Sequence, residues 1–378
     1  MGVFTGGLGY ILPFLVVLTV LVFVHELGHY LVARYNGVRV EVFSIGFGPE
    51  LFGWNDRVGT RWKFSAVPLG GYVKMFGDAD AASAPGASLE RMSAEERAVS
   101  FHHKRLPQRA AIVAAGPIAN FVFALVVLAV LFATVGQPFT PADVGAVQPG
   151  SAAEQAGIKA GDVISAIGGE RIERFEDVQR IVRLNTGTPL EMVIKRADRD
   201  VNITVTPRIT AFTDRFGNQH KLGLLGIERS GVNYVREDPF TAVWRAGQET
   251  VNLCTGTLQA VWQMVLGMRT TDELGGPLRI AQMSGEVAQG GVVALLWFMA
   301  VLSVNLGLIN LFPVPVLDGG HLLFYIAEAV RGRPLGQRAQ EYGFRVGLAL
   351  VLTLMVFATW NDLVHLKVFE FIKGLITT

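Results

Sequence analysis

The chain has 378 residues, a formal net charge of +1, 51% hydrophobic residues and 17% charged ones. Charged residues make up roughly a quarter of an ordinary soluble domain, so this composition argues against a fully solvated globule. The balanced charge argues against a nucleic-acid partner, and the single cysteine, Cys254, excludes an internal disulfide and a cysteine-rich metal site.

Residues 1–24 carry no charged side chain, and neither do 110–142, 287–317 and 346–361. A membrane span needs roughly 20 apolar residues, so these stretches predict a polytopic α-helical membrane protein with four spans. The first lacks the basic start and cleavage site of a signal peptide and runs directly into His25-Glu26-Leu27-Gly28-His29. Residues four apart share a helix face, so both imidazoles can address one metal ion. Glu26 sits one step round the helix, within reach of a water beside that ion.

Downstream, Phe64-Ser65-Ala66-Val67-Pro68-Leu69-Gly70-Gly71-Tyr72-Val73-Lys74-Met75 reads as strand, glycine turn, strand, a hairpin over about 60–76. Its edge, with Gly70, Gly71, Tyr72 and Val73, is a candidate surface for pairing with an extended substrate. Lys104, Arg105 and Arg109 precede the second span, and Arg331, Arg333, Arg338 and Arg345 lie between the third and fourth. The positive-inside rule then sets 35–105 and 331–345 in the cytoplasm, with both termini and 143–286 outside.

Charges return in 143–230. Alternating runs at 162–167, 190–195 and 201–205 predict strands, Gly168-Gly169 a turn and 175–184 a short amphipathic helix. The run from Val147-Gln148-Pro149-Gly150-Ser151 to Gly161-Asp162-Val163-Ile164 resembles a bacterial-type PDZ domain. Leu222-Gly223-Leu224-Leu225-Gly226-Ile227 resembles the carboxylate-loop strand of permuted members, which makes Gly226 and Ile227 candidate peptide contacts. Beyond it, Val251, Cys254, Leu258, Val261, Trp262 and Val265 recur at helical spacing among polar residues and predict an interfacial amphipathic helix within 231–286.

Two histidines do not complete a zinc site, which takes three protein ligands in catalytic cases. Asp318, eight residues after Asn310 and just past Pro313 and Pro315, is the favoured third ligand, with His321 its rival. A carboxylate at a span end is costly without a partner, and a bound Zn2+ would explain it. Asn310 is a candidate contact for substrate backbone.

With Gly116-Pro117-Ile118-Ala119-Asn120 and the run from Asn310 to Gly320, these motifs resemble the site-2 protease family of zinc intramembrane proteases, in its bacterial branch that regulates sigma-E. The pieces occur in the family's order over nearly the whole chain, although there is room for one PDZ-like domain and not a tandem pair. The resemblance implies zinc ligands His25, His29 and Asp318 with Glu26 as catalytic base. It also implies a membrane-associated hairpin, a place in the bacterial inner membrane, and single-span substrates of the anti-sigma-factor type after a first cleavage, or remnant signal peptides. The expected organisation is 1–142 as an N-terminal membrane core, 143–230 as the inserted external PDZ-like α+β domain, 231–286 as the amphipathic region and 287–378 as the C-terminal membrane core. A non-catalytic membrane PDZ scaffold is the alternative, and zinc content discriminates the two. A transporter is disfavoured by the lack of inverted repeats.

Overall fold

The computed structural model describes residues 2–78, 91–185, 187–197, 199–213, 219–229, 231, 233–267 and 275–365. The chain divides into two units, one of Met1–Val130 with Phe240–Thr378 and one of Leu131–Pro239.

In the first unit, the uncharged start and the metal motif form one helix, α1 (Gly2–Tyr35), so the motif lies inside the helix and not at its end. A turn at Asn36-Gly37 leads into β1 (Val40–Asn55), which pairs antiparallel with β2 (Arg61–Met75). This corrects the expected hairpin. Gly70-Gly71 does not make a hairpin turn: the two halves of β2 flank the upstream segment, Phe43 lying opposite both Val73 and Trp62 and Ile45 opposite both Gly71 and Phe64, so β2 bends between Phe64 and Gly71. The turn is made instead by Asp56, whose Oδ1 accepts the backbone N–H of Val58 and of Thr60 at 2.9 and 2.8 Å. Gly70 and Gly71 are there for closeness: a Cβ on Gly70 would strike the Phe47 ring, and one on Gly71 would strike Val22 and the Ser44 carbonyl. The inner part of the sheet joins Ala33, Phe101, Ile112 and Val113 in one apolar cluster, whereas Leu51, Phe52 and Trp54 farther out are exposed.

After α2 (Ala94–Val99), α3 (Leu106–Thr134) is the second long apolar helix. Later elements of this unit are α6 (Pro239–Val265), α7 (Pro277–Gln289), α8 (Val292–Asn310), α9 (Asp318–Arg331) and α10 (Gln337–His365). Among the described residues, four stretches are long and apolar enough to cross a membrane: Gly9–Tyr35, Leu106–Thr134, Val292–Asn310 and Arg338–Leu363. The third is shorter than the uncharged run around it, because Gly290-Gly291 interrupts the helix before Val292 and Leu311 to Leu317 are non-helical. The amphipathic α6 touches two of these helices. Gly247 faces Leu125 of α3, and the Thr257 hydroxyl donates to Asn305 Oδ1 of α8 at 2.9 Å. Both partners lie within spans, so the middle of α6 runs beside them. The buried Asp362 of α10 caps α7, accepting backbone N–H groups of Gly276, Leu278 and Arg279 at 2.9–3.1 Å.

The second unit is wider than 143–230 because β3 (Gln137–Phe139) pairs with β12 (Asn233–Val235) and draws its two ends together. Between them come β4 (Val144–Val147), α4 (Ala152–Gln155), β5 (Val163–Ile167), β6 (Glu170–Arg171), α5 (Phe175–Leu184), β7 (Leu190–Arg196), β8 (Arg199–Val205), β9 (Arg208–Thr213), β10 (Gln219–Leu224) and β11 (Ile227–Arg229). Strands β6-β5-β7-β8 form the main sheet, while β4 pairs with β11 and β9 with β10. Inward residues Ile164, Ile167, Met192 and Ile194 meet Val178 and Val182 of α5 in the core.

Asp162 anchors this unit. Almost fully buried, it accepts from Arg196 Nε and Nη2, both at 2.7 Å, and from the Lys159 backbone N–H at 2.7 Å. Burial alone would raise the carboxyl pKa; the Arg196 fork and the Lys159 N–H outweigh it and hold the carboxyl below its ordinary value. A carboxyl depressed in the folded state stabilises the fold above the usual carboxylate range, and that contribution is lost as pH falls through it. Amides of β5 and β7 in the full-length protein should therefore lose hydrogen-exchange protection from neutral to acid pH. Asp162→Asn should lower protection at neutral pH and flatten the pH response; wild-type protection in the variant would contradict this account.

Candidate metal centre

Helical spacing alone turns His25 and His29 to one side of α1, and α3 decides what they meet. A Cβ on Gly28 would overlap the Ala115 carbonyl oxygen, and one on Gly116 would overlap the His29 imidazole. Small residues at the crossing let two backbones approach, and the missing side chain of Gly116 is the space the imidazoles fill. Each ring is then fixed through its Nδ1. His29 Nδ1 lies 2.8 Å from the Ile112 carbonyl, and His25 Nδ1 lies 3.1 Å from the side-chain amide of the wholly buried Asn120. A carbonyl partner requires Nδ1–H on His29, which leaves its Nε2 as a lone pair. For His25 to be the same tautomer, Asn120 must present Oδ1; amide oxygen and nitrogen are interchangeable assignments, and Oδ1 is otherwise a buried acceptor without a partner.

Asp318 arrives from the other half of the chain, as the first residue of α9. The preceding loop is held by close backbone contacts: a Cβ on Gly319 would overlap the Leu311 and Phe312 carbonyls, one on Gly320 the Val314 carbonyl, and one on Gly347 of α10 the Pro315 carbonyl. Val316, in that loop, has φ of 103°. A β-branched residue avoids this region, and such strain costs on the order of 1–3 kcal/mol.

Three atoms converge. His25 Nε2 is 3.2 Å from His29 Nε2, and Asp318 Oδ2 is 3.2 Å from the first and 3.5 Å from the second. Zinc bonds of about 2.0–2.2 Å in a tetrahedron set ligand atoms about 3.3–3.5 Å apart, so the triangle fits that ion. The side chains are 11–17% exposed, and Asp318 Oδ2 is buried with no hydrogen bond in acceptable geometry. Three lone pairs facing one another in a dry pocket repel, and a cation at their centre removes that repulsion.

The surrounding cavity is lined by Glu26, Gly71, Tyr72, Val73 and Asn310 together with the three ligand atoms' residues. The Gly71–Lys74 part of β2 pairs with Val42–Ile45 on one side, no strand among the described residues pairs with its other edge, and Gly71 to Val73 line this cavity. Gly70 is displaced from it, against Phe47. His321 lines the cavity but is not grouped with the converging atoms, and its ring packs 5.3 Å from that of Phe344. Gly226 and Ile227 are elsewhere, in the second unit, lining a groove with Phe175, Val178 and Val182 of α5. The contacts of Asn120 and Ile112 with the imidazoles, and the fit of Gly116, are not given by motif spacing. An amide in an apolar span was the available signal for Asn120; a backbone carbonyl leaves none.

The Peptidase family M50 model matches residues 13–354. A protein of Agrobacterium fabrum named as a zinc metalloprotease is 51% identical over 360 residues, which are 94% of this chain and 96% of that one. Metalloprotease MmpA of Caulobacter vibrioides is 40% identical over 396 residues, covering 98% of this chain and 100% of its own. The PDZ domain of an SdrC-like protein from Listeria innocua matches 25% of this chain and 98% of its own at 18% identity, with a TM-score of 0.20. Apolar helices and a zinc-dependent peptidase relationship define the class, a membrane metalloprotease. The chain belongs to Peptidase family M50, the site-2 proteases.

If Gly116 is the space for the imidazoles, Gly116→Ala should displace them and lower zinc affinity in protein that still inserts. Asn120→Ala, which removes only the His25 orienter, should cost about 10–100-fold in zinc affinity, the usual effect of losing such a partner. Chelator competition reads both, and wild-type affinity in both variants would remove α3 from the metal site.

Proposed function

We propose that this protein hydrolyses a peptide bond in or near the transmembrane segment of single-span membrane proteins, with His25, His29 and Asp318 as zinc ligands and Glu26 as the proton carrier. The observation that carries this reading is one cavity shared by the ligand triangle, a carboxylate that is not part of it, and an unpaired strand edge. A bound zinc supplies Lewis acidity to water and to the scissile carbonyl. Glu26 accepts the proton that water loses as its oxygen adds to the carbonyl carbon, and returns a proton to the nitrogen as the C–N bond breaks. A substrate helix presents no free backbone, so it has to unwind; Gly71 to Val73 then take the extended segment as an added strand, and the Asn310 amide holds a further backbone group. Gly70 supports this edge from behind.

The distribution of Lys and Arg supports an inner-membrane protein with the zinc site toward the cytoplasm and the 143–230 segment outside. There the groove beside Gly226 and Ile227 would meet substrate ectodomains, admitting those trimmed by an earlier cleavage, as for an anti-sigma factor, or remnant signal peptides.

Glu26→Gln should keep zinc stoichiometry while lowering cleavage of a transmembrane substrate at least about a hundredfold. Asp318→Ala should lower both. Cleavage by Glu26→Gln at near wild-type rate would defeat the assignment. Excision of 143–230 should leave cleavage of a trimmed substrate intact and permit that of an untrimmed one; continued rejection of the untrimmed substrate would remove the gating role.

A further inference from the structure

The ligand triangle joins two parts of the chain that are almost three hundred residues apart, and the geometry points to a device that sets one against the other. Arg109 Nη2 of α3 donates to Glu328 Oε1 of α9 at 2.5 Å, with side chains 15% and 17% exposed. The guanidinium also lies 5.0 Å from the centre of the Tyr325 ring, and its Nε is buried without a partner. One turn further along α3 is Ile112, the residue whose carbonyl fixes His29. A single stretch of α3 thus holds a histidine ligand on one side and the helix that bears Asp318 on the other.

Apolar contacts also join these helices. Leu322 and Tyr325 of α9 pack against the cluster that contains Ile112 and Val113. Apolar contact is non-directional and tolerates sliding and rotation. Asp318, at the first residue of α9, has to reach a point fixed to within a few tenths of an ångström. Glu328 is ten residues on, about 15 Å along the helix axis at 1.5 Å per residue. Fixing the far end of α9 therefore fixes the angle and rotation with which the near end meets the histidines. An ion pair withdrawn from water is a poor source of stability, because desolvation of both groups offsets its attraction, but it rejects other registers in which either charge would stand alone.

We infer that Arg109 and Glu328, with Tyr325 against the guanidinium, form a positioning staple that sets the register of α9 on α3 and so places Asp318 at the metal. They touch no reacting atom. The inference rests on the proposed ligand roles of His25, His29 and Asp318.

The test uses the full-length protein in detergent, loaded with zinc or cobalt. Arg109→Met combined with Glu328→Leu replaces the pair by apolar groups of similar reach. Such a swap should keep hydrogen-exchange protection of α9 while lowering zinc affinity about 10–100-fold and changing the visible spectrum of bound cobalt. The reversed pair, Arg109→Glu with Glu328→Arg, should recover affinity relative to Arg109→Glu alone. Wild-type zinc affinity with an unchanged cobalt spectrum in the apolar pair would overturn the staple, and so would a reversed pair that folds but recovers nothing. If the apolar pair fails to fold, the reversed pair decides. Failure of the ligand reading is separable, because His25→Ala would then bind zinc normally whatever the state of the staple.

Discussion

The site depends on how closely α1 and α3 cross. The two helices meet at Gly28, Ala115, Gly116 and Ala119, where side chains are small or absent. In lipid there is little hydrophobic gain from pressing one apolar helix on another, so packing and polar contacts decide which helices associate and how. Here that contact places two imidazoles against the part of α3 that runs from Ile112 to Asn120. The Ile112 carbonyl and the Asn120 side chain fix the rings, and Asn120 in turn lends its backbone carbonyl to the Ser303 hydroxyl of α8 at 2.9 Å. Gly307 of α8 packs beside Pro117 and Asn120. Thus α3 is the shared wall between the helix with two ligands and the helix that leads to the third.

Several polar groups on the apolar helices and their neighbours have a specific partner. Thr257 has Asn305, Asp362 has the start of α7, Arg109 has Glu328, and Ser303 has the Asn120 carbonyl. Asp318 differs: its Oδ2 faces two ring nitrogens in poor hydrogen-bond geometry. A metal satisfies all three atoms at once.

Several of these features were legible in the sequence. The four-residue spacing of His25 and His29 and an acidic residue at a span end need only helix geometry and the cost of burying charge. The alternating runs that became β5, β7 and β8, and the amphipathic α5, are likewise local signals. The hairpin was misread because a glycine that permits close approach looks the same in sequence as a glycine that turns. Gly70 and Gly71 are of the first kind, and the true partner strand, broken by Gly46 and Gly48 at positive φ, lacks clean alternation. Arg109 and Glu328, 219 residues apart, leave no periodic trace at all.

Val316 ties the metal site to a part of the protein that never touches it. Its backbone is wound into a conformation that costs on the order of 1–3 kcal/mol, and it persists because the neighbouring carbonyls are gripped by Gly319, Gly320 and Gly347. The segment ahead of Asp318 is therefore a loaded spring whose catch includes the last apolar helix, α10. Slackening at that helix would let the loop relax toward ordinary angles and carry the carboxylate off its mark. A metal held by Asp318 would thus depend in part on how tightly α10 is seated against Pro315.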